Sequence, residues 1–214
     1  MHAVGFKTLG GQITAFVMLC VFFGASLYYF LTTAFETGVV FAEKNPEIAL
    51  QETPLLYARV YTDEGVFKIR FLRSKAPFTV KNFIRLSKKD FYNQTQFHRV
   101  IKGFMIQGGD PLTRENDTSV YGTGGPGYMI PDEINDRPMV RGAVAMANYG
   151  KDTNGSQFFI LTNDTPRIQD KFTIFGEVIE GMDSVDKISS VPVDSKNLPK
   201  EPIRIQKIEL LEAF

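Results

Sequence analysis

Soft metal ligands are nearly missing from this chain: its 214 residues hold one cysteine, Cys20, and two histidines, His2 and His98. A lone cysteine closes no intrachain disulfide, and three such residues this far apart build no zinc cluster, so redox chemistry and structural zinc do not fit. An excess of charge is missing too. Lys plus Arg and Asp plus Glu each number 24, which removes the basic footprint expected of a nucleic-acid binder. No serine sits in a G-x-S-x-G elbow, so Ser156 lacks the context of a hydrolase nucleophile even with His98 in the chain. Nor do two carboxylates stand at a spacing that defines an acid–base pair. Asp110, in the GGDP stretch, is expected to end a strand.

What remains is a foldable composition, 43% hydrophobic and 22% charged, enough for one domain of ordinary size. The apolar residues are unevenly spread. After a short segment, 1–12, residues 13–35 (ITAFVMLCVFFGASLYYFLTTAF) carry no charge. As a helix they would run about 35 Å at about 1.5 Å per residue, long enough to span a bilayer. Lys7 before this run and Glu36 after it favour a cytoplasmic N-terminus. The expectation is a single-pass, membrane-anchored protein with its C-terminal domain outside the cytoplasm. A cleaved signal peptide, giving a secreted form, is the rival; its apolar core would normally be shorter, and Val40-Phe41-Ala42 falls late for a cleavage site. Val17-Met18-Leu19 supplies no small residue before Cys20, which therefore reads as a buried apolar cysteine rather than a lipid attachment site. Residues 36–54 mix charges, prolines and small residues as a linker does, and the folded domain is expected over 55–214.

That domain reads as mainly β. LLYARVY (55–61) and VFKIRFL (66–72) flank Thr62-Asp63-Glu64-Gly65, a hairpin connection. APFTVKNFIRLSKK (76–89) changes to helical period, with Pro77 suited to a first turn and Phe78, Val80, Phe83, Ile84 and Leu86 on a largely buried face. Six more short strands follow: QFHRVI, FMIQGG, GAVAMAN, SQFFILT, TIFGEVI and IRIQKIELL. GMDSVDKISS (181–190) supplies a second short helix through Met182, Val185 and Ile188. Two helices are too few for a parallel α/β sheet. The pattern predicts a closed antiparallel barrel capped by two helices.

Two familiar spellings fail on context. Gly122-Thr-Gly124-Gly-Pro-Gly127 fits G-x-G-x-x-G, but Pro126 and Pro131 prevent the helix that a dinucleotide site requires, leaving a flexible glycine loop. KDTNGS (151–156) lacks the spaced carboxylates and late glutamate of a calcium loop and reads as a turn.

Arg99 is the residue that asks for a role. A guanidinium stays charged and cannot act as a general base. Strand alternation predicts Phe97, Arg99 and Ile101 on one face with His98 and Val100 behind, Met105 with Gln107, and Gln157 with Phe159. Taken alone this also describes a surface arginine on a barrel wall.

The motifs FHRVIKGFMIQGGDP (97–111), GTGGPG (122–127), RGAVAMAN (141–148), NGSQFFI (154–160) and FTIFGEVIEGMDSVDKI (172–188) resemble, in order, those of the cyclophilins, the peptidyl-prolyl cis/trans isomerases. The resemblance runs over about 55–212 and leaves the first 54 residues uncovered. It implies the eight-stranded barrel and a catalytic Arg99 steadied by Gln107. It also implies a proline pocket of Phe104, Met105 and Phe159 closed by Phe172 and rimmed by Ile168, and a backbone-pairing segment at Ala147 and Asn148. Gln157 would lie near the prolyl carbonyl, and Gly122 and Thr123 would border the next subsite. No cofactor or metal is implied. The partners would be proline-containing peptides and unfolded or partly folded proteins, met by a monomeric soluble domain. Three positions depart from the pattern of many eukaryotic members: Arg167 in place of tryptophan, Phe172 in place of histidine, and Tyr149 in place of alanine. Phe172 keeps an aromatic ring at the pocket, whereas Arg167 removes an indole donor and argues against tight cyclosporin binding. Together they suggest a bacterial-like member. A rival from another class is a tethered module that binds proline segments, or a chaperone, with little turnover.

Overall fold

The computed structural model describes residues 55–212; the expected membrane-spanning segment at 13–35 and the linker at 36–54 lie outside them. Among the described residues, no helix is long and apolar enough to cross a membrane. The elements in chain order are β1 (Leu55–Thr62), β2 (Gly65–Phe71), α1 (Pro77–Ser87), β3 (Arg99–Ile101), β4 (Met105–Gly108), β5 (Ala143–Met146), β6 (Phe158–Leu161), β7 (Ile174–Glu180), α2 (Met182–Ser189) and β8 (Ile205–Glu212). All eight strands join one curled sheet in the order β3-β4-β6-β5-β7-β2-β1-β8, antiparallel throughout.

The expectation of a closed barrel needs correction. The end strands β3 and β8 do not pair as a ladder; a single bridge, Gln96 with Arg204, and irregular backbone bonds such as Phe97 N to Ile203 O (2.9 Å) and Val100 N to Asn197 O (2.8 Å) cross the seam. Pro199 and Pro202 lie in the segment that would have to extend β8, and neither has an N–H to give a ladder.

Alternation along the strands sorts apolar side chains to two faces. The inner face carries Val60, Phe67, Ile69, Ile106, Val144, Met146, Phe158, Ile160 and Phe175, sealed by Phe83 and Ile84 of α1 and by Val185 and Ile188 of α2. Phe83 is the hub: its ring meets Tyr92 at 4.8 Å, Phe175 at 5.2 Å, Phe158 at 5.6 Å and Phe71 at 5.8 Å. Burying a ring of this kind is worth about 1.5–3 kcal/mol, which explains why so short a helix holds. Ala76 provides no side-chain cap for α1. Glu133 does so from a distant loop, its carboxylate accepting from Phe78 N (3.1 Å) and Thr79 N (2.8 Å).

A second, smaller cluster lies on the opposite face of β4, β5 and β6. It comprises Met105, Met139, Ala143, Ala145, Phe159, Leu161 and Ile174, with Ile101, Phe104, Ala147, Ile168 and Phe172 packed half-buried against it. This outer cluster is the floor of the candidate site.

Candidate active site

Cross-strand register decides what meets here. Arg99 lies opposite Gln107, Gln107 opposite Phe159, and Phe159 opposite Ala145, so a cation, an amide, a ring and a methyl group form one row across β3, β4, β6 and β5. The next row holds Ile101, Met105 and Leu161. Neighbouring strands lie about 4.8 Å apart, so the Arg99 backbone stands about two strand spacings from that of Phe159.

Phe97 does not share that face. Its ring is fully buried on the inner side, edge-on to Phe158 at 6.4 Å. The alternation fails because β3 begins at Arg99, so residues 97 and 98 are not extended strand and the period of two does not reach them. Arg99 itself is exposed, so the fold alone does not shield it from water.

A hydrogen-bonded relay fixes the amides beside it. Arg99 Nη1 donates to Gln107 Oε1 (3.4 Å), Gln107 Nε2 to Gln157 Oε1 (3.0 Å), and Gln157 Nε2 to the carbonyls of Gly122 (2.8 Å) and Gly124 (2.9 Å). The glycine loop is therefore pinned, contrary to the reading of GTGGPG as flexible. Asp110 pins it from the other side, accepting from Gly122 N (2.6 Å), Gly124 N (3.2 Å) and Leu112 N (2.8 Å). This fully buried carboxylate does not end a strand: β4 stops at Gly108, and Asp110 caps the 3-10 turn Pro111–Arg114. The Asp-Pro step was the available signal, an acceptor followed by a proline suited to a first turn. Gly124 must be glycine, since a Cβ there would fall 2.0 Å from Asp110 Oδ1.

Phe159 and Phe172 meet edge-to-face at 5.2 Å and 84° and share one apolar cluster with Phe104, Met105 and Ile168, the residues expected to form the proline pocket. Ala147 closes the end near Gln157, its N–H donating to Gln157 O (2.9 Å). Asn148 follows it, Nδ2 donating to Asn154 Oδ1 (3.4 Å); the fully buried Asn154 donates in turn to Asp132 Oδ1 (2.7 Å). Thr123 is exposed on the glycine loop, its hydroxyl turned back to Val120 O (2.7 Å). Asn154 and Asp132, which steady the loop carrying Asn148, are supports that the sequence did not single out. They sit in the KDTNGS turn and a remote connection, and no local pattern joins them.

His98 is buried next to the glycine loop, its Nε2 lying 3.7 Å from where a Cβ of Gly122 would stand. Desolvation holds its imidazole pKa below the ordinary value, against an opposing pull from Asp110. Set behind the row, with its charged form disfavoured by burial, it is not placed as an acid or base for a ligand on the Arg99 face. The site offers a fixed cation, oriented amides and an apolar seat, which suits positioning and electrostatic stabilisation of a ligand that breaks no covalent bond.

The model of the cyclophilin type peptidyl-prolyl cis-trans isomerases matches residues 57–210. A peptidyl-prolyl cis-trans isomerase of Synechococcus elongatus is 43% identical over 140 residues, covering 62% of this chain and 92% of that protein. A peptidyl-prolyl cis-trans isomerase-like 2 of Rhizopus delemar is 44% identical over 161 residues, 72% of this chain but 28% of that longer protein. In three dimensions the chain is similar to a cyclophilin type isomerase of Cryptosporidium parvum, with a TM-score of 0.68 and 34% identity over 74% of this chain and 99% of that one; the Cryptosporidium protein has also been crystallised in the presence of the dipeptide Ala-Pro. The extent of these matches, and the fold they share, make this chain a member of the cyclophilin-type peptidyl-prolyl cis/trans isomerase family.

Proposed function

We propose that the domain accelerates rotation about X-Pro bonds by electrostatic stabilisation of the twisted amide, with Arg99 as the catalytic group. Amide resonance sets a barrier of about 18–20 kcal/mol. As the bond turns, the prolyl nitrogen pyramidalises and its lone pair localises. A guanidinium donating to that lone pair binds the half-turned state more tightly than either planar one, which lowers the barrier. Phe104, Met105, Phe159 and Phe172 hold the ring, Asn148 and Ala147 hold the backbone before it, and the carbonyl is left to swing near Gln157. The observation that carries this reading is the row Arg99–Gln107–Phe159, with Gln107 tied to Arg99 on one side and Gln157 on the other.

The clients we propose are exported or membrane-proximal chains, met by a monomeric domain tethered through residues 13–35 and facing away from the cytoplasm. The uncharged run with Lys7 before it supports this topology. The bacterial-like assignment rests on Arg167, Phe172 and Tyr149. Two measurements on the full-length protein test the proposal. A protease-coupled prolyl-peptide assay should show isomerisation well above the spontaneous rate, and binding without turnover would leave a proline-binding module instead. Protease added outside intact cells should digest the domain, and full protection would refute the topology.

A further inference from the structure

Arg167 introduces a second cation at this site, on the side away from Ala147 and Asn148. It stands on the 3-10 turn Pro166–Ile168 with its guanidinium 5.4 Å from the centroid of the Phe104 ring. Arg167 is exposed, and cation–π attraction to a ring of the apolar cluster keeps its guanidinium at that edge of the site. The β3–β4 turn is fastened to the same edge, Asn163 Nδ2 donating to Gly103 O (3.0 Å) and Thr162 N to Phe104 O (2.9 Å), which brings exposed Lys102 there as well.

Charge on this edge is unbalanced. The two segments that frame it, 99–105 and 162–172, carry four cations, Arg99, Lys102, Arg167 and Lys171, against two carboxylates, Asp164 and Asp170. Asp164 accepts from Arg141 N (2.9 Å) and Asp170 from Gln169 Nε2 (3.3 Å). Among the described residues, none of the four cations has a carboxylate within ion-pairing distance. Direction follows from the strand register: Ala147 meets Gln157 at one end of β6, Phe159 lies in the middle, and Met105 faces Leu161 at the end where Arg167 stands. On the proposed reading, Ala147 and Asn148 hold the residue before the proline, so the peptide leaves the proline towards Arg167.

We propose that Arg167, with Lys102, is a specificity-determining rim that selects peptides carrying a carboxylate one or two residues after the proline. The inference rests on the isomerase reading and adds a substrate class to it. A solvent-exposed pair of this kind is worth about a two- to fivefold preference, because long side chains and salt dilute the attraction. The preference belongs in KM, since the rim touches the peptide beyond the bond that turns.

Exchange NMR on the full-length protein, with paired peptides that differ by Glu or Gln after the proline, reads the ratio of kcat/KM directly. The expected ratio is about two to five in favour of Glu at low salt, falling towards one in about 1 M salt, where the screening length is about 3 Å. Arg167→Gln should bring the ratio towards one, Lys207→Gln on the far side of the sheet should not, and Arg167→Lys should keep part of it, which also covers the case in which the glutamine variant fails to fold. Equal turnover of both peptides by the native protein, or a preference that survives Arg167→Gln, overturns the assignment while leaving the isomerase reading intact. Absence of turnover on either peptide overturns that reading and the rim with it.

Discussion

Gln107 and Gln157 face each other across the floor of the site and share a hydrogen bond of 3.0 Å, Nε2 of the first to Oε1 of the second. Each amide is thereby held in one orientation. Gln107 can turn its oxygen to Arg99 because its nitrogen is engaged, and Gln157 can accept because its own nitrogen is committed to the glycine loop.

Breaking that relay should disorder the guanidinium without removing it. Gln157→Leu is expected to lower kcat/KM about 10- to 100-fold, the scale associated with misplacing a reacting group by about an ångström. Combined with Arg99→Ala it should add little further loss, since the two residues act as a unit. Full additivity in the protease-coupled assay would separate Gln157 from the arginine.

Helix α1 should depend on a residue far from it in sequence. Glu133→Ala removes the acceptor for Phe78 N and Thr79 N, an effect of about 1–2 kcal/mol by analogy with lost N-caps. For a domain of this size that is a fall of about 2–8 °C in Tm. Calorimetry would show it, and an unchanged Tm would mean that water replaces the carboxylate at no cost.

Much of this architecture is legible in the sequence. Alternating apolar strands, the helical period over 76–89 and the glycine-bearing hairpin after Thr62 each follow from local physics, and each stands at or near the expected boundary. The features that escaped are non-local. Glu133 caps a helix about 50 residues away, Asp110 reaches across to Gly122 and Gly124, and the seam between β3 and β8 is left unladdered by prolines near 199–202. Phe97 departs from its expected face for the opposite reason: strand alternation does not reach back past Arg99, where the strand begins. At the site, the family resemblance rather than local physics singles out Arg99 and its neighbours, and cross-strand register sets Arg99, Gln107 and Phe159 in a row.

His98 makes stability depend on pH in a definite direction. Its folded pKa is depressed, chiefly by desolvation, so as pH falls through the unfolded value of about 6.5 the unfolded chain takes up a proton that the folded one resists. The stability present above that value is therefore lost progressively as pH falls towards the folded pKa. Urea unfolding at a series of pH values below neutrality should show the decline, and His98→Asn should flatten it. An identical pH slope in the variant would remove His98 as its source.

The central claim is that a fixed positive charge on Arg99 lowers the rotational barrier. Exchange NMR on a prolyl peptide with native, Arg99→Lys and Arg99→Ala proteins tests it most directly, because it measures turnover and binding together. Removing one preorganised electrostatic donor costs about 100- to 1,000-fold in kcat. The alanine variant should lose about that much while still binding the peptide and keeping its Tm, and the lysine variant should lie between. Native-like kcat in Arg99→Ala would contradict the account.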